Sequence, residues 1–158
     1  MSQIEKSKSF KAKNLLSLRK KITQSQANEE MNKIAAFLEG NGIKQSGPVI
    51  TATFAVDKET DDPLIDMEIL VPMDRKTNLP EEYSYKEVIH IVNAVHATHR
   101  GRPDTLYSTY NDLFKYIKEN NLQQITAVYN AYIKDHSPMD TSDNLIIDVY
   151  IGVNPSIL

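Results

Sequence analysis

Glu68 and Asp148 are the two carboxylates of this 158-residue chain whose setting suggests chemistry. Each alternates with apolar residues, in Met67-Glu68-Ile69-Leu70-Val71-Pro72-Met73 and Ile147-Asp148-Val149-Tyr150-Ile151-Gly152-Val153. Successive strand side chains point to opposite faces. If Met67, Ile69 and Val71 and their counterparts Ile147, Val149 and Ile151 pack on a core, Glu68, Leu70, Asp148 and Tyr150 share the other face. Asn130 and Tyr132, from the preceding strand-like run, complete the candidate ligand-binding set. A carboxylate among aromatic rings holds a lipophilic cation by charge and cation–π attraction. The same acids also fit a solvated sheet face, and a hydrolytic acid–base pair would need a particular separation. Tyr129, Tyr132 and Tyr150 suit a wall for a planar ligand, or a sheet edge with wet hydroxyls.

Other reactive side chains carry less. His90, His96 and His99 fall in one strand-like run. His90 and His96 share a face but sit roughly 20 Å apart along a strand, too far to ligate one metal. Gly101, between Arg100 and Arg102 at a helix start, fits an anion site or a plain tight turn. No Ser-His-Asp order, phosphate-binding glycine loop or metal motif is present, so no catalytic residue, metal or cofactor is expected. The absence of cysteine removes thiol chemistry and disulfides.

The elements that must position these residues occur twice. Ala27, Met31, Ile34, Ala35 and Leu38 follow one helix face, and a displacement of 79 gives Leu106, Tyr110, Leu113, Phe114 and Ile117. Each stripe runs into an Asn and a short apolar turn, then two strand-like runs: 49–54 and 67–73, and 127–132 and 147–153. Residues 88–99 are a β-branched strand run, so their counterparts 9–22 are expected as a strand too. The first helix should start after Thr23 or Ser25 and stop at Gly40 or Gly42; the second should start at Pro103-Asp104. Residues 74–86 read as a polar surface linker, and acidic, proline-containing loops 57–63 and 135–144 join the strand pairs. The expectation is one α+β domain over 1–158, a duplicated β-α-β-β repeat (about 9–73 and 87–153). Two helices would cover one face of an antiparallel sheet, with a concave groove on the other.

Hydrophobic content of 41% and charged content of 25% are those of a globular domain. A net charge of −3 argues against a broad nucleic-acid footprint. The early cations, Lys6 to Lys21, suit a strand edge protected from aggregation. No apolar run is long enough to span a membrane, and residues 1–13 lack a signal-peptide core, so the expected address is the cytoplasm.

From these residues the chain resembles the GyrI-like family of bacterial effector-binding domains. His99-Arg100-Gly101-Arg102-Pro103-Asp104-Thr105-Leu106 is similar to the family's strand-end motif entering its second helix, and Ala131-Tyr132-Ile133-Lys134-Asp135 to its x-Y-L-x-D run. Residues 147–153 resemble its acidic-x-x-I-P-V terminus, with Gly152 in place of the proline. The resemblance implies an SHS2 duplication and small-molecule binding, with Asn130 standing where many relatives carry a glutamate. The expected protein is a stand-alone, non-enzymatic binder of a lipophilic or cationic small molecule, without nucleic acid or membrane. With only about eight residues before the first expected strand, no DNA-binding module of the kind found in the family's regulators is expected. The alternatives are a groove that takes a protein partner and, further off, a hydrolase.

Overall fold

Six strands and two helices follow the order strand-helix-strand-strand twice. In the computed structural model, which describes residues 3–57, 61–133 and 144–157, they are β1 (Ile4–Ile22), α1 (Gln24–Gly40), β2 (Ile50–Asp57), β3 (Leu64–Pro72) and β4 (Ser84–Gly101). A 3-10 turn (Pro103–Thr105) then leads into α2 (Leu106–Glu119), β5 (Gln124–Tyr132) and β6 (Leu145–Val153). Most of the expected 135–144 loop, and residues 58–60 of the 57–63 loop, lie outside the described residues.

Local chemistry explains the helix limits. The Thr23 hydroxyl accepts from the Gln26 N–H while the Thr23 N–H donates to the Gln26 side chain, a capping box that fixes the start of α1. Asn41 and Asn120 close the two helices alike, each side-chain amide donating to a carbonyl four residues back, Phe37 and Tyr116. Gly42 and Asn121 follow with φ of 64° and 54°, a left-handed turn that Gly and Asn tolerate. Ala35 and Phe114, expected on the buried stripes, are exposed: both lie on the flank of the arc that packs.

All strand neighbours are antiparallel, and the order β1-β3-β2-β5-β6-β4 closes on itself. A barrel-like ring therefore replaces the expected open sheet. The cause is the length of β1 and β4, which outrun the expected 9–22 and 88–99. Residues Ile4–Ser17 of β1 pair with β4, and Leu15–Ile22 pair with β3. Before Leu15, β1 pairs only with β4, and Lys6, Lys8, Lys11 and Lys13 are exposed there. The expected linker is also shorter, because Tyr83 and Leu79 tuck against the first core.

Three apolar clusters result. One packs Met31, Ile34 and Leu38 of α1 on Leu16, Leu18, Met67, Ile69 and Val71; another packs Leu113 and Ile117 of α2 on Val95, Ile147, Val149 and Ile151. The third, Leu15, Ile50, Leu70 and Ala131 with Phe10, Ala12, Ile89 and Tyr129 around them, fills the face opposite the helices. Asn14 makes the switch between faces possible. Its φ of 58° lets Phe10 and Ala12 before it, and Leu15 after it, reach the same cluster. Its side chain donates to the Met73 carbonyl, and its own carbonyl accepts from the Met73 N–H.

Registers in the two halves correspond position for position. Ser17 opposes Leu70 and Arg19 opposes Glu68, as His96 opposes Tyr150 and Thr98 opposes Asp148. Ala52 opposes Glu68 as Ala131 opposes Asp148. Gly152 takes the space that a proline or any side chain would need: a β-carbon there would lie 2.5 Å from Thr126 Cγ2 and 3.1 Å from Ile91 Cγ2. Its N–H also donates to the Thr126 hydroxyl at 2.8 Å. Gly152→Ala is expected to lower unfolding free energy by about 2 kcal/mol. Thr126→Ser in the same chain should recover part of the loss in urea denaturation, since it removes the clashing methyl and keeps the hydroxyl.

Candidate functional site

The six residues expected to form one site divide between the two faces of the sheet. Glu68, Leu70, Asp148 and Tyr150 lie opposite the helices, as alternation predicts, but they do not line an open hollow. Leu15, Ile50 and Leu70 are each 0% exposed and close its centre. Glu68 is buried and already engaged, accepting from the Ser17 hydroxyl at 2.5 Å and pairing with the Lys86 ammonium at 2.6 Å. Tyr129 lies next to it, its phenol pushed up by burial and then by the Glu68 charge. Arg19 forks onto Asp66 and stacks 3.8 Å over the Phe54 ring.

Asp148 is engaged in a different way. It accepts from the Thr98 hydroxyl at 2.7 Å and meets His96 Nε2 at 2.9 Å, while His96 Nδ1 meets Glu5 at 3.1 Å. These contacts hold Asp148 below the usual carboxylate range, chiefly through the His96 hydrogen bond, and raise His96, chiefly through Asp148. The Tyr150 ring sits between Phe10 and His96, both 4.7 Å away by centroid. His96 thus spends its ring nitrogens inside the protein. Of the other histidines, His99 is buried against Thr109 and the Arg102 carbonyl, and His90 is exposed. Among the described residues no cluster of His, Asp and Glu is arranged to hold a metal ion, and no helix is long and apolar enough to cross a membrane.

Asn130 and Tyr132 turn to the helix-bearing face, which corrects their placement beside the acids. The register decides this: Ala131 opposes Asp148, so its neighbours on β5 point the other way and oppose Val149 and Ile147. There they meet two residues that the sequence did not single out. The Tyr110 hydroxyl, from α2, donates to Asn130 Oδ1 at 2.7 Å, and Asn130 Nδ2 donates to the Thr51 hydroxyl at 3.3 Å. The Thr51 hydroxyl also lies beside the Tyr132 phenol. Burial pushes the Tyr110 and Tyr132 phenols up, so both remain neutral donors. Thr51 and Asn130 are direct partners across the β2–β5 pairing and are 79 positions apart. That spacing equals the displacement between the two apolar helix stripes, and it was the signal available in the sequence.

The GyrI-like family, described as a small molecule binding domain, matches residues 6–154. The fold is similar to the C-terminal domain of EcmrR, with a TM-score of 0.79 and 18% identity over 98% of each chain. It is also similar to EcmrR in a DNA complex, at 0.73 and 17% identity; that alignment takes in 97% of this chain but only 57% of that one. A Listeria innocua protein described as a hydrolase scores 0.58 at 12% identity, over 97% and 91% of the two chains. No curated protein matches the sequence.

Lys86→Met leaves a buried carboxylate with only the Ser17 hydroxyl and should cost about 2 kcal/mol. Adding Glu68→Gln should recover most of that loss when the double variant is compared by urea denaturation.

Proposed function

The chain belongs to the GyrI-like small molecule binding domain family, and on that premise we propose that it binds a neutral aromatic or lipophilic molecule at the seam between its halves, without catalysing a reaction on it. The seam is the β2–β5 pairing on the helix-bearing face. The observation that carries the proposal is the convergence of Thr51, Asn130, Tyr110 and Tyr132 between the α1 and α2 cores. A few convergent polar groups set in apolar surroundings are the usual make-up of a small-molecule site. The opposite face is the weaker candidate, since Leu70 is buried there and both acids already have internal partners.

The chemistry of the seam selects the ligand class. Asn130 supplies an amide, and the tyrosines and Thr51 supply neutral hydroxyls, so a bound cation would find no counter-charge in this group. A ligand carbonyl, ether or phenol, by contrast, could replace the Tyr110–Asn130 hydrogen bond. The same groups offer neither an activated nucleophile nor a general base, which supports binding over hydrolysis. We take the two halves as copies of one β-α-β-β unit; the matched registers and matched Asn41 and Asn120 caps support this. A cytoplasmic domain that makes no contact of its own with nucleic acid or membrane completes the proposal.

A thermal-shift panel of neutral aromatics and lipophilic cations tests it. Neutral aromatics should raise the melting temperature of the wild type, and Tyr110→Phe should weaken the best of them about tenfold, as loss of one buried hydrogen bond implies. Asn130→Glu should turn the preference toward cations, and Asp148→Asn should leave neutral-ligand binding unchanged. Binding that is lost in Asp148→Asn and kept in both seam variants would place the site on the other face.

A further inference from the structure

We propose that His96 is a proton-operated latch: its imidazolium pins the N-terminal end of β1 to β4 and β6, and its neutral form releases that end. The inference is independent of the ligand proposal and rests on the two contacts of one ring. His96 Nδ1 meets Glu5 of β1, and Nε2 meets Asp148 of β6. A neutral imidazole has one N–H and therefore cannot donate to both carboxylates; only the imidazolium can.

The surroundings determine which contact fails first. Asp148 is partly buried, takes a second bond from Thr98, and feels the Arg100 charge from β4. Glu5 is more exposed, and its other partner is Lys8 on the same strand. The remaining proton of a neutral ring therefore stays on Nε2, facing Asp148. Nδ1 then turns a lone pair toward the Glu5 carboxylate. Tyr150, backed by Phe10, packs against the His96 ring and keeps it from swinging away; burial pushes the Tyr150 phenol up, so it adds no charge.

The end of β1 is poorly held without this contact. Register shifts fall between Glu5 and Lys8 and again between Lys8 and Phe10, and Ser7 has a φ of 57°. The sheet ladder there is thus interrupted twice within a few residues. The other half contains the control. Ser17 bonds Glu68 at the register that corresponds to His96 on Asp148, and there the counter-charge is the Lys86 ammonium instead of an imidazole.

The sign of the pH dependence follows. His96 is raised, so its contribution is complete below the ordinary histidine range and is lost as pH rises through the raised value. Asp148 is depressed, so its contribution is lost only as pH falls through that lowered value. The latch is closed between those limits and opens on the alkaline side.

Amide hydrogen exchange read by NMR, with the His96 ring proton followed in the same samples, tests the latch from mildly acidic to mildly alkaline pH. Protection of the Glu5–Lys8 amides, corrected for intrinsic exchange, should fall about tenfold or more as the ring loses its proton, the scale of a charged hydrogen bond. Protection at Ser17–Lys21 should hold. The step should vanish in His96→Gln, which does not titrate, and in Glu5→Gln, which leaves no carboxylate to repel. A step that persists in His96→Gln would overturn the proposal. So would constant protection while the ring deprotonates, or a ring that keeps its proton throughout.

Discussion

The β2–β5 pairing, with Thr51 opposite Asn130, is the constraint on which the rest of the structure depends. It joins the strand directly after the first helix to the strand directly after the second. Through it the two helix-side cores become one layer, and the ring of strands closes. It also fixes parity. Once Ile50 opposes Ala131 and Ala52 opposes Tyr129, these four face away from the helices, and Thr51, Asn130 and Tyr132 must face them. A slip of one residue would reverse every one of these positions. The hydrogen bonds from Tyr110 to Asn130 and from Asn130 to Thr51 add a side-chain check on that register.

The face opposite the helices follows a different logic. A polar group taken out of water is costly unless it is paired, and there the pairing is internal. Glu68 has Ser17 and Lys86; Asp148 has Thr98 and His96. With Leu15, Ile50 and Leu70 packed at its centre, this surface works as a second core with two ion pairs at its margins. The corresponding positions differ in kind, since Ser17 stands where the other half has a histidine. One carboxylate is paired with a lysine and the other with an imidazole ring.

Much of this was legible in the sequence because it depends on local pattern. A first-helix start at Thr23 or Ser25, the Asn ends of both helices and the turn of Glu68 and Asp148 away from the helices all follow from spacing and capping chemistry. Three things did not. The length of β1 and β4 is set by mutual pairing, which a polar stretch such as Lys6 to Lys13 does not announce. The burial of Leu70 depends on ring closure, which brings Leu15 and Ile50 against it. The separation of Asn130 and Tyr132 from the acids depends on the β5 register, which only the pairing with β2 and β6 sets. Tyr110 was read as a core or boundary residue of the second helix, and its hydroxyl found a partner that only tertiary structure supplies.

The central claim is that the seam holds the ligand and the acid-bearing face does not. NMR shift mapping with a stabilising neutral aromatic compound tests it most directly. The largest perturbations should fall on the Asn130 side-chain amide, the Thr51 amide and the rings of Tyr110 and Tyr132, with His96 and Tyr150 unmoved. Perturbations centred on His96, Asp148 and Tyr150, with the Asn130 amide silent, would contradict it.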